Sequence, residues 1–358
     1  MKKKLVYFVL IILGFLVLSY GFVPEVLKGK IVNQSDISGW VGMSHEMMEW
    51  NAAHPDDPTA WTGSMFSGMP TTTIHSSTKG DWTQKIYDFL LTGRRPATYF
   101  FVSLLGAFLM LLAFGISPLL AAGGAVAVTF CAYNPQIIQV GHNTKMQALA
   151  FLPWVVAAFA FAYRKALREK PSWPLVLLGA AAFGLTVSFQ VKANHPQISY
   201  YLAILLIGYA LALFIVLIVK KKALLGRFFA VSALLLVLGG AGIATNASKL
   251  LPTLAYTPHS MRGGSSDGKT SGLDLDYATS WSYGWEELPN QMIPNFNGGS
   301  SSGAVNPKHS ETYKVLKGPD SRVQSKSAKT CRSTGGRSPL PPDRCTSAPS
   351  PSSCSCWA

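Results

Sequence analysis

Acidic residues are scarce in this chain: 17 Asp and Glu stand against 31 Lys and Arg, and charged residues of both signs make up only 13% of the total. A soluble domain carries about 25% charged residues, so this composition argues against an ordinary water-soluble enzyme. Cysteine is nearly as sparse. Only Cys131 lies before Thr330; the other four crowd into the last stretch, and no pair has the CxxC spacing of a zinc site. Nor does the basic excess of +14 form a stripe interleaved with stacking aromatics, as a nucleic-acid surface requires. Lys and Arg instead cluster in short runs between apolar blocks, the pattern of the positive-inside rule.

Those blocks have membrane-spanning length. Residues 5–23 are continuously apolar behind Lys2, Lys3 and Lys4; at about 1.5 Å per residue they cross a hydrocarbon layer of about 30 Å. They read as a retained anchor rather than a cleaved signal peptide, because the stretch exceeds the usual apolar core and no A-x-A-like site follows. Further spans are predicted at 97–114, 116–133, 146–163, 173–190, 197–219 and 228–246. The expected fold is therefore an all-α polytopic membrane protein of about seven transmembrane helices with a large first extracytoplasmic loop, 24–96. Residues 1–247 form its membrane domain and 248–317 a second extracytoplasmic segment.

In a seven-span count, Lys2–Lys4, the 164–170 loop and the 220–227 loop fall on one side, which is then the cytoplasm; Arg94 and Arg95 depart from the rule. The count puts the N-terminus in the cytoplasm and all seven histidines on the outer side. From Gly318 onward Ser, Pro, Arg and Cys dominate. Residues 318–358 cannot build a packed core; they read as a disordered tail or as translation in a shifted frame.

The polar motifs of the outer side are the candidates for chemistry. Asn33-Gln34-Ser35-Asp36 follows the first span, where Asp36 suits a general base or metal ligand, and where Ser35 or Asp36 equally suits a helix N-cap. Trp61-Thr62-Gly63-Ser64-Met65-Phe66-Ser67-Gly68-Met69-Pro70 suits a segment folded back on the membrane surface, or an interfacial aromatic anchor. Gly141-His142-Asn143-Thr144-Lys145 sets imidazole, amide, hydroxyl and ammonium in one turn ahead of a helix N-terminus, an arrangement fitted to an anion or else to a snorkelling lysine in a solvated turn. Lys192-Ala193-Asn194-His195-Pro196 repeats the theme. Asp36, His142 and His195 are a weak divalent-metal set, their spacing having no diagnostic form. Asp274 and Asp276 form a D-x-D string, a minor metal candidate. Trp281 and Tyr283 lie in a run of aromatics, hydroxyls and glycines of the kind that faces carbohydrate.

QSDISGW with GMSHE, WTGSMFSGMP, GHNTK, KANHPQISYY and the run from LDYATSWSYG to IPNFNGG resemble, in order, motifs of the YfhO family of bacterial membrane proteins, over residues 1 to about 305. That family is similar to the GT-C polytopic glycosyltransferases, which use polyprenyl-phosphate sugars. The resemblance implies a GT-C-like fold in the bacterial inner membrane and Asp36 as catalytic base or metal contact. It also implies that His142, Asn143, Lys145, Asn194 and His195 face the donor phosphate, and Trp281 and Tyr283 the sugar or the glycan acceptor. A divalent metal is a possible cofactor; membrane lipid, donor and acceptor are the partners, and nucleic acid is not. Family members are usually longer, so the chain reads as a truncated copy whose activity is open. A flippase for a lipid-linked sugar and a non-catalytic accessory protein are the alternatives.

Overall fold

The computed structural model describes residues 2–74 and 81–260, with Gly263, 275–280, Ser282, Gly284, Trp285, Leu288 and Pro289. Trp281, Tyr283, Asp274 and the 318–358 tail lie outside the described residues. The chain divides into two compact units, 1–255 and 256–358. Of the second unit, the described part includes one short helix, α12 (Leu275–Thr279), which carries Asp276.

The apolar blocks of the first unit fold as helices, the form in which a backbone meets its own hydrogen-bonding needs inside hydrocarbon. In chain order the helices, with those of the polar loops, are α1 (Lys2–Phe22), α2 (Ser35–Ala53), α3 (Trp82–Leu90), α4 (Ala97–Ala113), α5 (Pro118–Thr129), α6 (Tyr133–Val140), α7 (Asn143–Ala166), α8 (Trp173–Lys192), α9 (Pro196–Lys220), α10 (Leu225–Ala244) and α11 (Ala247–Tyr256). Among the described residues α7, α8, α9 and α10 are long and apolar enough to cross a membrane, while α4, α5 and the Val6–Phe22 part of α1 are shorter apolar helices. The molecule is a helical, membrane-embedded protein.

One predicted span is cut short. Residues 116–133 were expected to be a single helix, yet α5 has 12 residues and a length of about 18 Å. Pro135 explains the break: its ring in a continued helix would clash with the Cys131 carbonyl and leave that group without an N–H partner. The chain bends at 130–132 instead, and the Asn134 side-chain amide donates to the Thr129 carbonyl at 3.0 Å, satisfying one of the free carbonyls at the end of α5.

Within the bundle α7 is central and α9 peripheral, since 72% of the apolar window of α7 is buried against 11% of that of α9. Phe159, Ala162 and Tyr163 of α7 pack with Val176, Ala180 and Phe183 of α8 and with Phe228, Val231 and Leu235 of α10. A second group joins Phe15 of α1 to Leu104, Ala107 and Phe108 of α4 and Ala121 and Ala125 of α5. Helices α8 and α10 touch backbone to backbone: a methyl group on Gly184 would lie 2.6 Å from the Leu238 carbonyl oxygen, and one on Gly242 would overlap the Gly184 carbonyl. Small residues at such crossings let membrane helices approach closely.

The first loop is structured over its described residues, 24–74 and 81–96. A short antiparallel ribbon, β1 (Trp61–Thr62) and β2 (Met69–Pro70), pairs Trp61 with Pro70 and Thr62 with Met69. The Glu46 carboxylate of α2 gathers this ribbon: it accepts from the Thr62 hydroxyl and from the Ser64 N–H at 2.8 Å, and these bonds hold its pKa down to about 2. Of the two exceptions to the charge rule, Arg95 has a local partner for its charge, its guanidinium lying 5.9 Å from the centre of the Tyr99 ring, while the backbone N–H of Arg94 donates to the Tyr20 hydroxyl at 3.4 Å.

Candidate functional site

The start of α2 is seated on the turn between α6 and α7. Gly141 ends α6 with φ of +114°, and a Cβ there would sit 3.0 Å from the Asp36 Cβ, so glycine meets both the left-handed backbone and the close approach. Gln34 and Asn143 exchange side-chain amide hydrogen bonds, each 3.1 Å, and Gln34 also donates to the Ile138 carbonyl. Ser35 donates to the Val140 carbonyl at 3.4 Å. Two segments more than a hundred residues apart are thus fixed in register by four polar contacts.

This register brings Asp36 and His142 together. His142 Nε2 lies 3.0 Å from Asp36 Oδ2, with the imidazole mostly covered (26% exposed) and the carboxylate more open (44%). The expectation that Ser35 or Asp36 caps a helix is corrected: both lie inside α2, the residue before it is Gln34, and no side chain caps that end. The Asp36 carboxylate is drawn instead to the imidazole across the interface, a charge-assisted bond when His142 is protonated.

Lys145, in the first turn of α7, holds its ammonium 5.4 Å from the centre of the Tyr133 ring. His195 precedes α9 and is half-buried. Burial, then the Lys145 charge and to a smaller extent His142, hold its pKa below the usual imidazole range, so it is neutral at neutral pH. Its Nδ1 is buried with no hydrogen-bond partner among the described residues. Asn194 turns the chain between α8 and α9 with φ of +58°. Asp36, His142, Asn143, Lys145 and His195 therefore gather at one end of the bundle. No group of three His, Cys, Asp or Glu side chains gathers among the described residues, so Asp36, His142 and His195 do not make a metal-binding set.

Lys192 is a second correction. Grouped by sequence with Asn194 and His195 as the cation of that turn, it is buried in an ion pair with Asp81, each side chain 6% exposed. Asp81 caps α3, accepting from the Thr83 N–H at 2.9 Å and the Thr83 hydroxyl at 2.6 Å. The network runs on through Thr83, Ser188 and Thr245, with Asn246 donating to the Ser188 carbonyl at 3.2 Å. Lys249 of α11 lies close enough to feel the Lys192 charge; burial, then that charge, hold its pKa below the lysine range. Reading by motif missed Asp81 and Lys249 and included Gln34 without a role. Asp81 had a signal, an Asp N-cap ahead of the amphipathic WTQKIYDFL; Gln34 and Lys249 had none beyond their polarity.

A scan against protein-family models, a search of curated proteins and a search of solved structures found no match to this chain.

Proposed function

We propose that the protein is a membrane glycosyltransferase of GT-C type, moving a sugar from a polyprenyl-phosphate donor to a surface glycan at the outer face of a bacterial inner membrane. About seven spans and a cytoplasmic N-terminus belong to the same reading. The observation that supports it best is the Asp36–His142 contact at 3.0 Å, beside Asn143, Lys145 and His195. In this reaction the acceptor hydroxyl attacks the anomeric carbon, the bond from that carbon to the phosphate oxygen breaks, and polyprenyl phosphate departs with the bonding pair. Asp36 takes the hydroxyl proton. His142 orients the carboxylate, and the Lys145 ammonium with the Asn143 amide and the N-terminus of α7 offsets charge on the leaving phosphate. The half-buried His195 supplies a neutral donor.

The test uses the full chain in lipid nanodiscs with radiolabelled polyprenyl-phosphate hexoses and glycan acceptors. Asp36→Asn keeps the bond to His142 and removes the base, so transfer falls by about 10²–10⁴-fold with insertion unchanged. Transfer by the variant at the wild-type rate, or no transfer by the wild type with any donor, overturns the assignment. Donor crossing vesicle bilayers without transfer establishes the flippase in its place.

A further inference from the structure

The opposite end of the bundle carries a site that the proposed reaction does not use. A cavity of about 450 Å³ opens there between the C-terminal ends of α4 and α7 and the flank of α9. Its wall is divided by chemistry. Arg164, in the last turn of α7, and Arg168, two residues beyond its end, border it together with the Tyr209 ring, and Phe114 and Leu213 line the apolar part. The Arg164 guanidinium is held in place: Nη1 donates to the Ala113 carbonyl at 2.9 Å, and Nη2 lies against Gly115, whose φ of +90° and missing Cβ admit it. Arg227 donates to the Arg168 carbonyl at 2.8 Å, fixing the backbone from α10. Neither arginine has a carboxylate within ion-pair distance among the described residues. Segments 164–170 and 220–227 together hold eight basic residues and one acid, Glu169.

We infer that this cavity binds an anionic phospholipid, its phosphodiester between Arg164 and Arg168 and the first methylenes of a chain along Phe114 and Leu213. Three observations favour lipid over a soluble anion. The cavity is bounded by α9, the helix that turns almost its whole apolar surface outward, so one of its walls is an element that lipid chains surround. Half of the lining is apolar, of no use to inorganic phosphate. The volume falls in the range of small-molecule sites, several times what one phosphate needs. Basic clusters beside a membrane surface attract anionic headgroups, and guanidinium forks match phosphate oxygens.

The purified full chain, in neutral detergent, is titrated with phosphatidylglycerol, with phosphatidylcholine and with glycerol 3-phosphate while its melting temperature is followed. Phosphatidylglycerol raises Tm in the wild type, and the other two do not. Arg164→Gln/Arg168→Gln weakens the phosphatidylglycerol midpoint by about tenfold or more. Leu213→Trp, which keeps both arginines and fills the apolar part, does the same and decides the matter if the arginine variant does not fold. Lys221→Gln, outside the cavity, leaves the midpoint unchanged. An equal shift with glycerol 3-phosphate, retention of the shift in Leu213→Trp, or an equal loss in Lys221→Gln overturns the proposal.

Discussion

Asp81 and Lys192 illustrate what a single pair does in a chain with so few acids. Each charge is almost fully out of water, so each depends on the other, and Thr83 satisfies the second carboxylate oxygen. Asp81→Asn leaves a buried ammonium without its counter-charge and costs about 3–5 kcal/mol, whereas Asp81→Asn/Lys192→Met removes both charges and recovers most of the loss. Chemical unfolding in micelles, followed by tryptophan fluorescence, measures this cycle; equal losses in the single and double variants reject the pair as a coupled unit. Acid acts on the same contact. Burial pushes the Asp81 carboxyl up, but Lys192 and Thr83 outweigh it and hold the pKa below the ordinary carboxylate range. Protons therefore bind the unfolded chain first, and the stabilisation present above about pH 4 is lost as pH falls through the folded value. The double variant lacks that step. Position in sequence hid the pair, for Lys192 stands next to Asn194 and His195 while its partner lies 111 residues away.

At the scale of elements, the most demanding contact is the crossing of α8 and α10 at Gly184 and Gly242. Gly242→Leu drives a side chain into the Gly184 backbone, separates the helices and costs about 1–3 kcal/mol or more. Gly240→Leu, two residues away with nothing within 4 Å of its Cβ position, is neutral or stabilising, since leucine is the better helix former. Denaturant midpoints of the two variants separate a packing effect from a propensity effect, and equal midpoints contradict the close crossing. Helices of this kind were legible because runs of about 20 apolar residues have few other uses. The shortness of α5 was less so: its apolar run continues to Ala132, and only the steric demand of Pro135 ends the helix earlier. Capping at Ser35 or Asp36 was a fair local expectation that a distant imidazole outweighed. The Asp36–His142 contact itself was only half legible, since both residues were assigned to one side but nothing local gave their register; that came from Gly141, Gln34 and Asn143.

For the whole molecule, side-chain contacts define two ends without reference to any membrane. The Asp36–His142 and Asp81–Lys192 contacts set the first loop, the 141–145 turn and the 191–196 turn at one end. The bonds from Arg164 to Ala113 and from Arg227 to Arg168 set the 113–115 turn and the two basic loops at the other. This division requires the chain to return from Pro118 to Val140 through the broken pair α5 and α6 rather than through one continuous helix. In the proposed topology charge supplies the direction: basic loops are retained in the cytoplasm, and the end bearing Asp36 is expected to face outward. The prediction is checked with all five cysteines replaced by serine and a single cysteine introduced at Asp57 or at Lys221, both exposed. In intact spheroplasts a membrane-impermeant maleimide labels the Asp57→Cys chain, and it labels the Lys221→Cys chain only after lysis. The reverse pattern inverts the molecule and removes the candidate site from the outer face. Labelling of both from outside puts the two ends on one side, contradicting the contacts that define them.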